Sequence, residues 1–173
     1  MRGAILGLGV VACLALVGCS DDEPVGVTSR VFAEDACSLV GGDVVASAGL
    51  VEVSSSVANE RLTSGAECEM TASDGSAVTV RWEAYGGGSE ASAQGAADEA
   101  QVAACGNVSS YGEGYAAVGD GCSTTGREAG QETSIVVEGL SEGYGFVRVQ
   151  VTAPEGQAGG TAAVAEEIAA SAR

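Results

Sequence analysis

The strongest constraint on the fold is a pair of alternating segments, residues 66–72 and 77–85, joined by a short polar turn. The sequence Ser73-Asp74-Gly75-Ser76 between them is typical of a hairpin turn, because Gly accepts the positive φ that such turns need. The apolar side chains of both segments fall on one face, and polar ones such as Arg81 and Glu83 fall on the other. An antiparallel sheet with one buried face and one solvent face produces this pattern.

A second hairpin is predicted near the C-terminus, with residues 133–138 and 144–152 flanking a turn within 139–143. Val147 and Val149 share one face of its second strand, and Arg148 falls on the other. The two hairpins therefore predict one antiparallel sheet that is apolar on one side.

Helical patterns surround the hairpins, with short turns near 36–40 and 44–48, an Ala-rich helix over 89–104 and a last helix over 161–172 that Thr161 caps. Residues 50–53 suggest a short strand, and residues 105–130 form a Gly-rich loop with one short strand near 115–118. The order predicts an α+β fold of two layers, with helices on one face of a mainly antiparallel sheet.

The N-terminus has the features of an export signal: a basic residue at Arg2, an apolar stretch over residues 4–17 and a small residue at Gly18. The segment closes in Leu16-Val17-Gly18-Cys19, which resembles the lipobox of bacterial lipoproteins. That resemblance implies a signal peptide over 1–18 and a lipid-modified Cys19 on the outer face of the cell membrane. An ordinary secretory signal, a retained leader or a cut before Cys13 are the alternatives, and the last leaves a short apolar stretch.

Residues 20–30 are polar and acidic, contain Pro24 and Gly26, and have no periodicity that would bury a face. A flexible tether is therefore predicted over residues 19–31. A single extracytoplasmic domain over residues 32–173 follows it.

Four cysteines lie beyond the tether: Cys37, Cys68, Cys105 and Cys122. An even number in an exported chain predicts disulfides, and four cysteines allow three connectivities. We favour Cys37 with Cys68, which joins an early helix to the next strand, and Cys105 with Cys122, which closes the Gly-rich loop. A zinc site is the alternative, but the chain has neither a CxxC spacing nor a His.

The lipobox, the acidic tether, the sequence Asp35-Ala36-Cys37-Ser38-Leu39-Val40 and a second cysteine at Cys68 together resemble small actinobacterial cell-envelope lipoproteins. Many of these fall in a family whose domain function is unknown. The resemblance implies the lipid on Cys19 and a Cys37–Cys68 bridge, and it implies no active site.

The net charge and the absence of two residue types exclude several classes of function. The formal net charge is −17, which opposes nucleic acid and anionic lipid head groups. His and Lys are both absent, so Ser/His/Asp and Cys/His arrangements and Schiff-base chemistry are excluded. Many carboxylates remain, but no pair of them stands out. We therefore expect neither an enzyme nor a cofactor or metal site.

Two functions remain as hypotheses. In the first, the solvent face of the sheet binds an envelope protein or wall polymer through Arg81, Glu83 and Arg148. In the second, the domain carries a small lipidic or apolar ligand between sheet and helices. Three tyrosines in or beside Gly-rich segments are weak candidates for ligand contact, although they also suit the edges of a core: Tyr111, Tyr115 and Tyr144.

Overall fold

The computed structural model describes residues 26–109, 116–118, 121–156 and 160–173. These residues form one seven-stranded antiparallel sheet in the order β1-β2-β3-β7-β6-β5-β4. The strands are β1 (Leu50–Asn59), β2 (Thr63–Ala72), β3 (Ala77–Tyr85), β4 (Ala116–Val118), β5 (Gly121–Glu128), β6 (Gln131–Gly139) and β7 (Gly145–Pro154). The helices are a 3₁₀ turn (Ala36–Leu39), α1 (Gly42–Ser47), α2 (Glu90–Ser109) and α3 (Thr161–Ser171).

The hairpin β2–β3 confirms the prediction from alternation. Gly75 has a φ of 90° at the turn, and the carboxylate of Asp74 accepts the backbone N–H of Ser76 at 2.8 Å. This hydrogen bond lowers the pKa of Asp74, since it favours the charged form. The turn chemistry therefore fixes the register of the two strands.

Two rows of paired residues define the two faces of the sheet. One row joins Cys68, Val80, Val149 and Val136, and we name this side the Cys68 face. The row on the other side joins Arg81, Arg148, Val137 and Cys122, and we name it the Cys122 face. Because adjacent residues of a strand point to opposite sides, each strand contributes alternate residues to the two faces.

The main core lies on the Cys68 face. The 3₁₀ turn, α1 and α3 cover it, and Trp82, Ile168 and Phe32 are among its buried members. The indole Nε1 of Trp82 donates to the carbonyl of Ala172 at 2.7 Å, which fixes the end of α3 against the sheet.

Both predicted disulfides are confirmed. Cys37–Cys68 ties the 3₁₀ turn to β2, and Cys105–Cys122 ties α2 to β5. In the chain-entropy model each contributes about 3–4 kcal/mol. Since Cys68 and Cys122 lie on opposite faces, the bridges fix helices on the two sides of the sheet.

The α+β class and the antiparallel sheet are confirmed, but the placement of all helices on one face is wrong for α2. This helix packs on the Cys122 face over a second, smaller core of Val108, Ile135, Val137 and Phe146. The burial of three consecutive strand residues, Ile135-Val136-Val137, is the signature of a strand covered on both faces. The β5–β7 half of the sheet is therefore covered on both sides.

The predicted tether is too long at its C-terminal end. Val27 forms a bridge with Gly87, and the backbone N–H of Ser29 donates to the carbonyl of Arg61 at 2.9 Å. The hydroxyl of the buried Ser29 lies 2.8 Å from that of Ser64. This segment is held by backbone hydrogen bonds and by the hydroxyl of Ser29, and neither produces a hydrophobic periodicity in the sequence. The sequence therefore does not distinguish the docked segment from the tether.

Three other elements differ from the sequence prediction. Strand β1 continues to Asn59, beyond the predicted 50–53. Strand β5 occupies part of the predicted Gly-rich loop, because a strand of Ser, Thr and Gly carries little hydrophobic alternation. Thr161 is the first residue of α3 and not its cap: Gly160 holds the cap position, and the carboxylate of Glu132 accepts the hydroxyl of Thr161 at 2.9 Å. The cap therefore comes from β6.

Candidate functional site

The helix α2 covers only part of the Cys122 face. It packs over β5, β6 and β7 and reaches the edge of β3. In the described part of the chain no helix packs on this face over β1 and β2. We name the uncovered part the open face; its residues are Val51, Ser54, Ser56, Glu67, Glu69, Thr71, Thr79, Arg81 and Glu83.

Hydrogen bonds between neighbouring strands, and one within β3, hold the polar side chains of the open face. Arg81 Nε donates to Glu67 at 2.7 Å in a salt bridge, and the hydroxyl of Ser54 donates to Glu69 at 2.6 Å. The hydroxyl of Tyr85 donates to Glu83 at 2.6 Å. Burial and then this carboxylate raise the pKa of Tyr85, so the phenol stays protonated at neutral pH.

A cleft lies where the open face meets α2. Its volume is about 320 Å³, and it is lined by Arg81, Glu83, Ala100, Ala103, Ala104, Asn107, Phe146 and Arg148. We name it the arginine cleft, because Arg81 and Arg148 are directly opposite each other in the β3–β7 register. Like charges at opposite positions of an antiparallel pair destabilise the sheet.

Arg148 differs from the other arginine of the cleft in its partners. Among the described residues it forms no ion pair, while Arg81 is paired with Glu67. Its terminal nitrogen donates to Gln150 at 3.3 Å, and its Nε is buried without an acceptor. The cleft therefore holds one guanidinium that forms no ion pair with a described residue.

The sequence-predicted site residues divide into three groups. Arg81, Glu83 and Arg148 lie together in the arginine cleft. Tyr144 is half-buried and lines a separate groove between α2 and the β6–β7 turn, so it is not part of that cleft. The calls for contact on Tyr111 and Tyr115, like that for lipid on Cys19, fall outside the described residues.

The cleft also contains residues that were not predicted, chiefly Phe146 and one side of α2. The α2 members Ala100, Ala103, Ala104 and Asn107 follow a helical i, i+3, i+4, i+7 spacing, which is the signal that marks one helix face. Because alanines occur all around this Ala-rich helix, the spacing does not distinguish this side of α2 in the sequence.

A groove of about 500 Å³ on the other side of the sheet is a weaker candidate. It lies beside α1 and α3 and includes Arg127, Glu132 and Thr161. These three groups bind one another: Arg127 Nε donates to Glu132 at 2.9 Å, and Glu132 also accepts from Thr161. These three polar groups of the groove are thus engaged at the start of α3.

One group of potential metal ligands occurs among the described residues. Asp35, Cys37 and Glu52 lie within 4.8 Å of one another, but Cys37 is bonded to Cys68 and has no thiolate to offer. No helix of the described chain combines the length and apolarity needed to cross a membrane.

The chain matches no protein-family model, no curated protein sequence and no solved structure. The resemblance to actinobacterial lipoproteins therefore stays a prediction.

Proposed function

We propose that this chain is a membrane-anchored extracytoplasmic lipoprotein whose domain binds an envelope protein or wall polymer through the open face. One observation carries the proposal: the Cys122 face is covered by α2 over β5–β7 and bare over the polar strands β1 and β2. A half-covered sheet presents exposed strands beside a cleft, which suits the docking of a partner.

The composition of the open face supports binding. Its centre holds the Arg81–Glu67 pair, and Arg is a residue type enriched at protein interfaces. At the outer edge of the sheet Val51 is 66% exposed, which adds apolar contact area. The hydrogen bonds of Glu69 and Glu83 hold these side chains in place, so binding costs little further ordering.

The position of the domain supports an envelope partner. With the chain docked from Val27 onward, a lipid on Cys19 leaves a tether over residues 19–25, which spans at most about 25 Å. The domain then lies close to the outer face of the membrane that carries the anchor. The net charge of −17 on the full chain disfavours contact with anionic head groups, and this leaves the faces of the domain accessible to other envelope components.

The proposed domain is non-catalytic. It lacks His and Lys, and the acids of the open face accept hydrogen bonds from Arg81, Ser54 and Tyr85. The alternative function, a carrier of a lipidic ligand between sheet and helices, draws no support from the Cys68 face, where Trp82 and Ile168 fill the interior.

Photo-crosslinking on intact cells tests the proposal. p-Benzoylphenylalanine is placed at Thr71, which is exposed on the open face, and in a matched strain at Glu166, which is exposed on α3. We expect a discrete crosslinked product from position 71 and none from position 166. Products of equal yield from both positions, or from position 166 alone, contradict the proposal.

A further inference from the structure

The arginine cleft places two like charges side by side in a strongly acidic chain. Arg81 and Arg148 face each other across β3 and β7, at positions whose Cβ atoms are typically about 5 Å apart. With 24 acids and only seven arginines in the chain, such a juxtaposition opposes the general charge pattern. Negative charges close to the pair reduce this repulsion.

The described chain supplies a carboxylate ion-pair partner for Arg81 but not for Arg148. Glu67 pairs with Arg81 on the side remote from Arg148. Glu83 accepts the hydroxyl of Tyr85 at 2.6 Å, and among the described residues no carboxylate forms an ion pair with Arg148. The side chain of Arg148 lines the cleft, its Nε is buried without an acceptor, and its terminal nitrogen donates only to Gln150 at 3.3 Å, so the guanidinium still has N–H groups to donate.

The surroundings select among anions. The planar set of N–H groups on a guanidinium matches a carboxylate in a bidentate pair. Glu83 and Glu67, the partner of Arg81, offset the charges of the two arginines, and the acidic chain repels groups of higher negative charge. A singly charged carboxylate is therefore favoured over a phosphate dianion.

The cleft also has an apolar side. Phe146 and the α2 residues Ala100, Ala103 and Ala104 line it, and these take an aliphatic or aromatic group. A volume of about 320 Å³ accommodates one side chain or chain end, not a large molecule.

We infer that the arginine cleft is a carboxylate-binding subsite that takes one carboxylate carried on a short apolar group, with Arg148 as its main donor. This inference rests on the proposed function, because it identifies the chemical group of the partner that the cleft receives. It commits to a carboxylate of the partner.

Titration of the purified full chain with benzoate tests the inference. NMR follows the Nε–H signal of Arg148 and the amides of Phe146 and Ala104, with benzamide and inorganic phosphate as parallel probes. We expect saturable shifts with benzoate and at least tenfold weaker binding of benzamide and phosphate. Shifts of equal affinity with phosphate, or none with benzoate, overturn the inference.

Three variants separate the cleft from general charge effects. R148Q should weaken benzoate binding at least tenfold, and R148K, which keeps the charge without the planar fork, should weaken it severalfold. R61Q removes the same charge at an exposed position of the β1–β2 turn and should bind as the wild type does. Equal binding by R148Q and wild type overturns the inference.

A fourth variant guards against a folding defect in R148Q. A103L enlarges an exposed lining residue of α2, so it should block benzoate while the amide spectrum of the core is unchanged. Unimpaired benzoate binding by A103L contradicts the assignment of the cleft. The crosslink from position 71 reports on the proposed function separately: if it forms while benzoate does not bind, only the subsite is refuted.

Discussion

Trp82 links the sheet to the last helix of the chain. Its ring is 1% exposed in the core of the Cys68 face, and its Nε1 donates to the carbonyl of Ala172. A buried Trp in the middle of a strand requires a partner for its N–H, and the alternation of β3 predicts only that it faces inward. The partner lies 90 residues away along the chain and could not be read from the sequence.

The variant Trp82→Phe should therefore destabilise the fold. It removes the donor to Ala172 and leaves a cavity, which together cost about 2–4 kcal/mol. Urea unfolding followed by circular dichroism measures the loss. Val102→Ala on α2 is the control, because its side chain is 72% exposed and the change should stay within about 0.5 kcal/mol. A midpoint for Trp82→Phe equal to that of wild type refutes the role of this residue.

At the scale of elements, the N-terminus of α3 is capped by a residue of strand β6. Gly160 offers no side chain at the cap position, and Glu132 on β6 accepts from both the N–H and the hydroxyl of Thr161. The hydrogen bond from Arg127, then those from Thr161, lower the pKa of Glu132. The negative charge of Glu132 also faces the positive end of the helix dipole.

Because of this cap, we expect the free energy of unfolding to decrease as the pH falls. A lowered pKa in the folded state means that the contribution is full above the ordinary Glu value of 4.5 and is lost as pH falls through the folded-state pKa. Glu132→Gln should lower stability at pH 7 and flatten the loss of stability below about pH 4.5. Urea midpoints at pH 7 and pH 3 measure both effects. Glu166→Gln, an exposed acid of α3, is the control, and an equal pH slope in all three proteins contradicts the cap.

The same scale explains what the sequence predicts well and what it does not. Hairpin β2–β3 is local, so alternation and the Asp74-Gly75 turn are sufficient to predict it. The position of α2 depends on small side chains and on the pairing of β3 with β7, which joins distant parts of the chain. The individual residues Arg81 and Arg148 were therefore predictable as solvent-face residues, while the cleft that they form was not.

At the scale of the whole molecule, two disulfides fix helices to opposite faces of one sheet, and the docked chain begins close to the predicted anchor. The anchor makes a direct prediction about location. Cys19→Ser should release the protein into the medium, because lipid on this thiol is the expected attachment. Cell fractionation with immunoblotting measures the release, and Cys13→Ser should leave the protein with the membrane. Membrane retention of the Cys19→Ser variant contradicts the lipoprotein proposal.

The central claim is that the open face is covered by a partner in the cell envelope, and hydroxyl-radical footprinting on intact cells tests it most directly. Val51 on the open face is 66% exposed and Val102 on α2 is 72% exposed, so the two side chains form a matched pair. Oxidation of each is compared between intact cells and the purified full chain by mass spectrometry. We predict that Val51 is oxidised less on cells while Val102 is oxidised equally; equal oxidation of Val51 in both settings contradicts the claim.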